Sequence, residues 1–228
     1  MKRGPGLAGC YGKVRCNGDF VTRHLPPEFV ARWDLMLQAG VLQGRGALGD
    51  DWLGAYLSAP LWYFVLGADV MGPTAWAGVL MPGVDSVGRH FPLTITAPLD
   101  ACMLPTWVAE ARPWFVRCGE LALATLESGA RLAELEAGLA ALADGTGESD
   151  LPDRLPRDAM LASVADAIRA GTAGSRGHCV WWTDGGETLP PSMRRCAGLP
   201  DALQVAGLFY GGTAGWLSHG PWPGGAPE

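Results

Sequence analysis

Positive charge is scarce in this sequence. Lysine and arginine together number 17 against 23 acidic residues, which gives a formal net charge of −6. A protein that binds the phosphate backbone of nucleic acid usually presents a concentrated basic face. The densest basic spot here is the pair Arg194 and Arg195, and two charges do not make such a face. The composition therefore argues against a nucleic-acid partner.

The sequence also lacks the cysteine and histidine spacings of metal sites. Its six cysteines form no CxxC pair, and no two of its four histidines have the HxxxH spacing that places two imidazoles on one helix face. The cysteines are too sparse for the disulfide framework of a small secreted domain. We expect reduced, partly buried thiols and no metal or other cofactor. Only a metal site assembled from distant segments would escape this test.

No apolar run is long enough to cross a bilayer. The most apolar region, Leu61 to Val84, is broken by Asp69, Gly72 and Pro73 into pieces of strand length. The segment MKRGPGLAG at residues 1–9 carries two basic residues but no apolar stretch of the kind a secretory signal requires. We expect a cytoplasmic protein that is not inserted into a membrane.

Catalytic motifs are equally scarce. The glycine-rich segment 211–215 lacks the Lys-Ser/Thr of a phosphate-binding loop. The best candidate for catalysis is PGVDSVGRH, residues 82–90, which brings Asp85, Ser86 and His90 close together in the chain. Ser86 lacks the GxSxG context of a nucleophile, and a hydrolase usually gathers its catalytic groups from separate segments. We interpret the segment as a β-turn, with a small hydrolase using Asp85, Ser86 and His90 as the alternative.

What the sequence does contain is enough apolar residues for a large core, arranged in short strands. Hydrophobic residues make up 48% of the 228 residues and charged residues 18%, as in a globular protein. Strands are expected at Leu7 to Val14, Phe20 to His24, Leu61 to Leu66, Ala75 to Met81, Phe91 to Ala97 and His178 to Thr183. The gaps between the three middle strands are too short for a helical crossover, so these strands should pair antiparallel.

Helices are expected between and after these strands. Pro26 and Pro27 open a long helix that should end at Gly44 and Gly46. Asp50 is the expected N-cap of a short helix. The short helix should run from Asp51 to Leu57, and further helices are expected within 105–142, at 157–170 and at 201–209. The sum predicts a mixed α+β fold with a central, mainly antiparallel sheet flanked by helices.

We expect a single domain over residues 1–210. Within it the acidic, glycine-rich segment 144–155 should form a loop, and residues 211–228, rich in glycine and proline, should form an irregular tail. A leucine seam at helical spacing extends from Leu132 to Leu142. Two heptads are too few for a coiled coil, so we interpret the seam as packing on the sheet, with a partner-helix face as the alternative.

Ten tryptophans is a high number for this length. Trp181 and Trp182 are consecutive in a predicted strand, so their side chains should point to opposite faces of the sheet. One of them would then face away from the core unless helices cover both faces. An outward tryptophan would be a strong anchor for a protein partner. The sequence leaves both arrangements open.

An ordered run of short motifs extends over about the first hundred residues. The run comprises GCYGKV at 9–14, GDFV at 18–21, LP at 25–26, FV at 29–30, WD at 33–34, LGDDWL at 48–53, YL at 56–57, PLW at 60–62, GP at 72–73, WAGVLMP at 76–82, VD at 84–85, VGR at 87–89 and FPL at 91–93. This run, with VWWT at 180–183, resembles the TagF family, also called ImpM, whose members accompany bacterial type VI secretion systems. Two positions depart from the family pattern. Gly83 stands where serine is common, and Cys16-Asn17 stand where Ser-Arg is usual.

The resemblance implies an accessory regulator rather than an enzyme. It implies a post-translational repressor of secretion-system assembly, linked to the forkhead-associated scaffold protein and to the kinase–phosphatase pathway that acts on that scaffold. No catalytic residues come with the family. A permanent structural subunit of the secretion machine is a further alternative, and the oligomeric state is left open.

Five residues are selected as the partner-binding surface. They are Arg23, Asp85, Arg89, Trp181 and Trp182. Substitutions there should weaken partner binding without unfolding the chain. Among possible surfaces, the turn from Gly83 to His90 is the preferred one.

Overall fold

An antiparallel sheet of eight strands runs through the part of the chain that the structure describes. The computed structural model covers residues 4–144, 158–170, 176–187 and 189–221. The strands are β1 (Gly9–Gly12), β2 (Val21–Arg23), β3 (Trp62–Leu66), β4 (Ala75–Met81), β5 (Leu93–Leu99), β6 (His178–Thr183), β7 (Ser192–Ala197) and β8 (Ser218–Pro221). Their order across the sheet is β2-β1-β5-β4-β3-β6-β7-β8.

Helices cover both faces of this sheet. They are α1 (Pro27–Leu48), α2 (Trp52–Leu57), α3 (Leu104–Glu110), α4 (Arg112–Ala124), α5 (Leu132–Asp144), α6 (Asp158–Ala170) and α7 (Ala202–Tyr210). Residues of α1, α2 and α7 share one hydrophobic cluster with one face of the sheet, whereas α3 to α6 share a second cluster with the other face. The fold is therefore a three-layer arrangement, and the predicted mixed α+β class is confirmed.

The apolar sequence of the central strands explains this arrangement. Every residue of β3 (WYFVL) and β4 (AWAGVLM) is buried, as expected for strands that are covered on both faces. Trp62 and Phe64 pack toward α1 and α7, and the intervening Tyr63 packs toward α4. The leucine seam of α5 is also buried, through Leu135 and Leu139, in the hydrophobic cluster on this face, and α5 packs mainly against α4.

The predicted end of α1 is wrong, and the reason is close packing. The helix continues through Gly44 to Leu48. A Cβ at Gly40 would lie 2.1 Å from Val205 Cγ1, and a Cβ at Gly44 would lie 2.3 Å from a ring carbon of Trp52. These glycines therefore let α1 approach α7 and α2 rather than ending the helix.

Three further predictions need correction or lie outside the described residues. Asp50 sits in a 3-10 turn at Gly49–Asp51, and no side-chain cap bond is present at the start of α2. Strand β7 was not predicted, and β8 lies within the tail that was expected to be irregular. The acidic loop was predicted for residues 144–155; Asp144 ends α5, and residues 145–155 lie outside the described part of the chain. Within that described part, no helix is long and apolar enough to span a membrane.

Candidate functional site

Asp85 lies at the centre of a tightly hydrogen-bonded turn, residues 82–90, here called the Asp85 turn. Its Oδ1 accepts from the backbone N–H groups of Val87 (3.1 Å) and Arg89 (2.8 Å). Its Oδ2 accepts from Lys13 Nζ (2.5 Å) and Arg89 Nε (2.7 Å). The predicted β-turn, with an aspartate that bonds nearby N–H groups, is confirmed. The carboxylate thus organises the turn from inside.

Burial and hydrogen bonding act on this carboxyl group in opposite directions. Burial alone would raise the pKa of Asp85, because water is removed from the charged form. The Lys13 ammonium, the Arg89 N–H groups and the Val87 N–H outweigh that effect and hold its pKa well below the usual range. Asp85 is therefore an ionised structural group and not a proton donor near neutral pH.

Lys13 is the partner that sequence reasoning missed. It follows β1 directly, and it is only 5% exposed. Its ammonium also lies 5.0 Å from the ring centroid of Phe20, within reach of a cation–π interaction. A signal was present, because a lysine inside the otherwise uncharged stretch GCYGKV must find a counter-charge if that stretch is buried.

Hydrogen bonds fix the Asp85 turn to two neighbouring segments. Tyr56 Oη donates to Gly83 O (3.0 Å) and accepts from Gly83 N (2.9 Å). On the other side, Ser86 N donates to Asn17 O (3.0 Å), and Arg89 Nη2 donates to Gly18 O. The tip of the turn, residues 86–89, stays exposed, and Val87 is 68% exposed. The result is a rigidly held, solvent-facing tip.

Gly83 is required by the packing at the base of this turn. A Cβ at this position would lie 2.5 Å from Phe91 O and 2.6 Å from Lys13 O, and both of these are backbone atoms. The serine that is common in the family would therefore need the backbone near Phe91 or Lys13 to shift.

The groups of the alternative hydrolase are not assembled into a relay. The carboxylate of Asp85 is occupied by Lys13, Arg89 and backbone N–H groups. The His90 ring packs edge-on against the Tyr56 ring, with the centroids 5.8 Å apart. Ser86 is exposed at the tip. A nucleophile, base and orienting acid in hydrogen-bond contact are therefore not found among these three described residues.

An open groove lies beside the Asp85 turn. It has a volume of about 540 Å³ and is here called the α1 groove. It is lined by Leu35, Gln38, Ala39, Val41, Leu42 and Arg45 of α1 and by His90 and Phe91 at the end of the Asp85 turn. The groove is mainly apolar, and it places the exposed leucines Leu35 and Leu42 beside His90 and Phe91.

The five predicted partner-binding residues do not form one surface. Asp85 is only 2% exposed, so it positions the turn from inside and is not a surface residue. Arg89 remains a surface residue, since its side chain is 57% exposed. Arg23 belongs to a different region, where its Nε pairs with Glu136 Oε1 on α5 at 2.6 Å.

The prediction that Trp181 or Trp182 contacts a partner is wrong. Trp181 and Trp182 are both 0% exposed. Trp181 packs against Trp33 of α1, and Trp182 packs against Phe115 of α4. Because helices cover both faces of β6, neither tryptophan is available to a partner.

In the described ranges, no group of three or more histidine, cysteine, aspartate or glutamate side chains is close enough to hold a metal ion.

Comparison with known proteins gives the family of this chain. The family model for the TagF N-terminal domain, described as type VI secretion system-associated, matches residues 9–142, which is more than half of the chain. The chain belongs to the TagF family. It is therefore a type VI secretion system-associated protein, and the resemblance seen in its motifs is confirmed.

A solved structure is similar to this chain over most of its length. The crystal structure of PA0076 from Pseudomonas aeruginosa PAO1 is similar to this chain, with 33% sequence identity and a TM-score of 0.72. The similarity covers 90% of this chain and 95% of that one. No curated protein matches. The TagF match includes Lys13, the Asp85 turn and the whole α1 groove.

Proposed function

We propose that this protein is a non-enzymatic, post-translational repressor of type VI secretion-system assembly that acts in the cytoplasm by binding the forkhead-associated scaffold protein. Membership of the TagF family carries the proposal. A second support is that Asp85, Ser86 and His90 form no catalytic relay, which favours a binding role for this region.

Mass action supplies the mechanism. A regulator that binds only the unassembled scaffold stabilises that state by RT ln(1 + [L]/Kd). At a free regulator concentration of 100 times Kd, this amounts to about 2.7 kcal/mol, or roughly a hundredfold shift against assembly. No covalent step is required, and release of the regulator restores the free scaffold.

The tip of the Asp85 turn is the surface we propose for this contact. It is exposed, yet its backbone is held by the Asp85 carboxylate on the inside and by Asn17 O on the outside. The Arg89 side chain is held by its bond to Gly18 O. A surface that is ordered before binding loses less conformational entropy when the partner arrives. Val87 and Arg89 then offer an apolar and a charged contact from a fixed frame.

Calorimetric titration of the purified protein with the scaffold tests the proposal. The scaffold is used in its phosphorylated and unphosphorylated forms, because the kinase–phosphatase pathway acts on it. Micromolar or tighter binding to either form is expected. Absence of binding to both forms would overturn the proposal.

A second experiment separates binding from hydrolysis. Ser86→Ala removes the hydroxyl of the alternative nucleophile, and Val87→Asp places a charge on the exposed tip. Repression in cells should be unchanged by Ser86→Ala and weakened by Val87→Asp. Loss of repression with Ser86→Ala, at unchanged scaffold affinity, would favour the hydrolase instead.

A further inference from the structure

Helix α1 carries a second apolar stripe that the described fold leaves uncovered. One side of the helix packs on the sheet through residues such as Trp33 and Leu37, both 0% exposed. Leu35 and Leu42, by contrast, are 70% and 73% exposed. They are seven residues apart, which places them on one side of the helix, with Ala39 between them. Such a stripe is typical of a helix surface that meets a partner.

The stripe belongs to a shaped site and not to a flat surface. It forms part of the α1 groove, whose lining is completed by His90 and Phe91. Phe91 is 7% exposed and Val41 is 9% exposed, so these two residues make a well-packed apolar floor. His90 is held in place by its edge-on contact with Tyr56. An apolar side chain entering the groove would therefore find fixed walls.

The charged residue that lines the α1 groove is positive. Arg45 is exposed, and none of the eight described lining residues is acidic. The carboxylate of Asp34, which contacts Gln38, already accepts hydrogen bonds from Tyr11 Oη and Gln38 Nε2, both at 2.5 Å. A cationic end on a groove stands out in a chain whose net charge is −6. Charge complementarity therefore favours an acidic group in the occupant.

We infer that the α1 groove binds an amphipathic helix of the forkhead-associated scaffold, which carries two apolar side chains about two turns apart and an acidic side chain that meets Arg45. The inference rests on the proposed function and adds to the tip of the Asp85 turn a second contact surface for the same partner, together with the chemistry of that contact. Seven residues of α1 span about 10.5 Å, which equals about two turns of an opposing helix. Recognition of a helix in a groove uses anchors at this spacing.

A second copy of this chain fits the groove less well. Its own exposed stripe carries Arg45 and has no acidic lining residue in the described groove, so two such stripes lack complementary charge. The acidic partner helix satisfies both the apolar floor and the cationic end.

Titration of the full-length scaffold into groove variants tests this inference. Leu42→Asp should weaken binding at least about tenfold, because it charges the centre of an apolar contact. Arg45→Glu should weaken binding several-fold, and it should flatten the dependence of affinity on salt. The matched control is Leu123→Asp. Leu123 is 43% exposed and lies on α4, the helix that covers the opposite face of the sheet. The control should bind like the wild type.

The outcomes separate this inference from the proposed function. If the wild type binds the scaffold and both groove variants bind equally well, the α1 groove is the wrong surface while the proposed function stands. If the wild type does not bind, the proposed function fails and this inference fails with it. Light scattering tests whether the occupant of the groove is a second copy of this chain. A wild-type dimer that Leu42→Asp dissociates would identify that second copy as the occupant and overturn the inference. Thermal unfolding confirms that each variant is folded, and Leu35→Asp replaces Leu42→Asp if the latter is not.

Discussion

Lys13 Nζ lies 2.5 Å from Asp85 Oδ2 and joins the end of β1 to the turn after β4, across 72 residues of chain. The two side chains are only 6% and 0% exposed. Removing one member of a buried ion pair is costly, because it leaves the other without its counter-charge in a poorly solvated place. This pair therefore contributes to holding the Asp85 turn in place beside β1.

Lys13→Met should destabilise the fold by about 1–3 kcal/mol, as expected when one donor to a buried acceptor is lost. Asp85 would keep its bonds from Arg89 and Val87, so the protein should still fold. Urea unfolding followed by tryptophan fluorescence measures the change.

The exposed pair of Arg131 and Glu134 provides the control for that experiment. The Arg131 side chain is 74% exposed, so Arg131→Met should change stability little. Equal effects of Lys13→Met and Arg131→Met would contradict the structural role given to the buried pair.

The low pKa of Asp85 predicts a definite dependence of stability on pH. The carboxyl group binds a proton more readily in the unfolded chain, where its pKa is about 3.9, than in the folded one. Stability from this group is therefore fully present above about pH 5. It is lost as the pH falls below the unfolded pKa toward the folded one. Asp85→Asn, which cannot ionise, should lack this contribution.

Unfolding experiments at a series of pH values check the direction of this pH dependence. The difference in stability between the wild type and Asp85→Asn should be largest near neutral pH and should shrink as the pH is lowered toward 2. Asp50→Asn, at an exposed aspartate, serves as the control. A difference that stays constant with pH would show that the Asp85 carboxylate is not specifically stabilised in the folded state.

The sequence predicted the Asp85 turn but not what holds it. Glycine and proline punctuation located the turn and the strands on either side of it. Lys13 could not be matched to Asp85, because the contact depends on how β1 and β4 are placed across β5, and strand order was beyond sequence reasoning. The α1 groove was missed for a similar reason, since it joins one helix to a distant turn.

Gly83→Ala should destabilise the protein by about 1–3 kcal/mol, because the added Cβ meets backbone atoms of Phe91 and Lys13. Gly46→Ala is the matched control, since Gly46 lies within α1 and a Cβ there meets nothing within 4 Å. That control should stabilise the helix by roughly 0.5–1 kcal/mol. Thermal unfolding of both variants measures these changes. If Gly83→Ala left the stability unchanged, the base of the turn would be able to accommodate the added Cβ.

Strand β7 shows a second limit of sequence reasoning. Its sequence SMRRCA looks too polar for a buried strand, yet Arg194 is 2% exposed. The guanidinium lies against the rings of Trp62 and Trp216, and its Nη1 donates to Gly212 O (2.8 Å). Burial lowers the pKa of Arg194 to about 10, so it remains charged at neutral pH. Stacked arginines of this kind cannot be recognised before the neighbouring aromatics are placed.

The six cysteines should divide into two reactive thiols and four protected ones. Cys16 and Cys102 are exposed, whereas the buried thiols are Cys10, Cys118, Cys179 and Cys196. Burial raises the pKa of Cys10 to about 12 and that of Cys118 well above its usual range, so neither forms a reactive thiolate near neutral pH. Titration with a thiol reagent at pH 8 should therefore count two groups in the native protein and six after denaturation.

The hydrogen bond to Asp100 raises the pKa of Cys102, so Cys16 should react first. Cys16→Ser would then remove the faster phase and leave the slower one. A native count above two would show that one of the four buried thiols is reached by solvent.

Trp182 should matter for stability and not for scaffold binding. Its ring is 0% exposed and packs against Tyr63 and Phe115, so Trp182→Ala should cost about 3–5 kcal/mol. Its Nε1 has no hydrogen-bond partner among the described residues, so Trp182→Phe should cost clearly less. The phenylalanine variant is therefore suited to the binding experiment, where it should titrate the scaffold like the wild type while Leu42→Asp does not. If a folded Trp182→Phe variant lost scaffold affinity, β6 would have to be part of the partner-binding surface. That result would argue against the α1 groove.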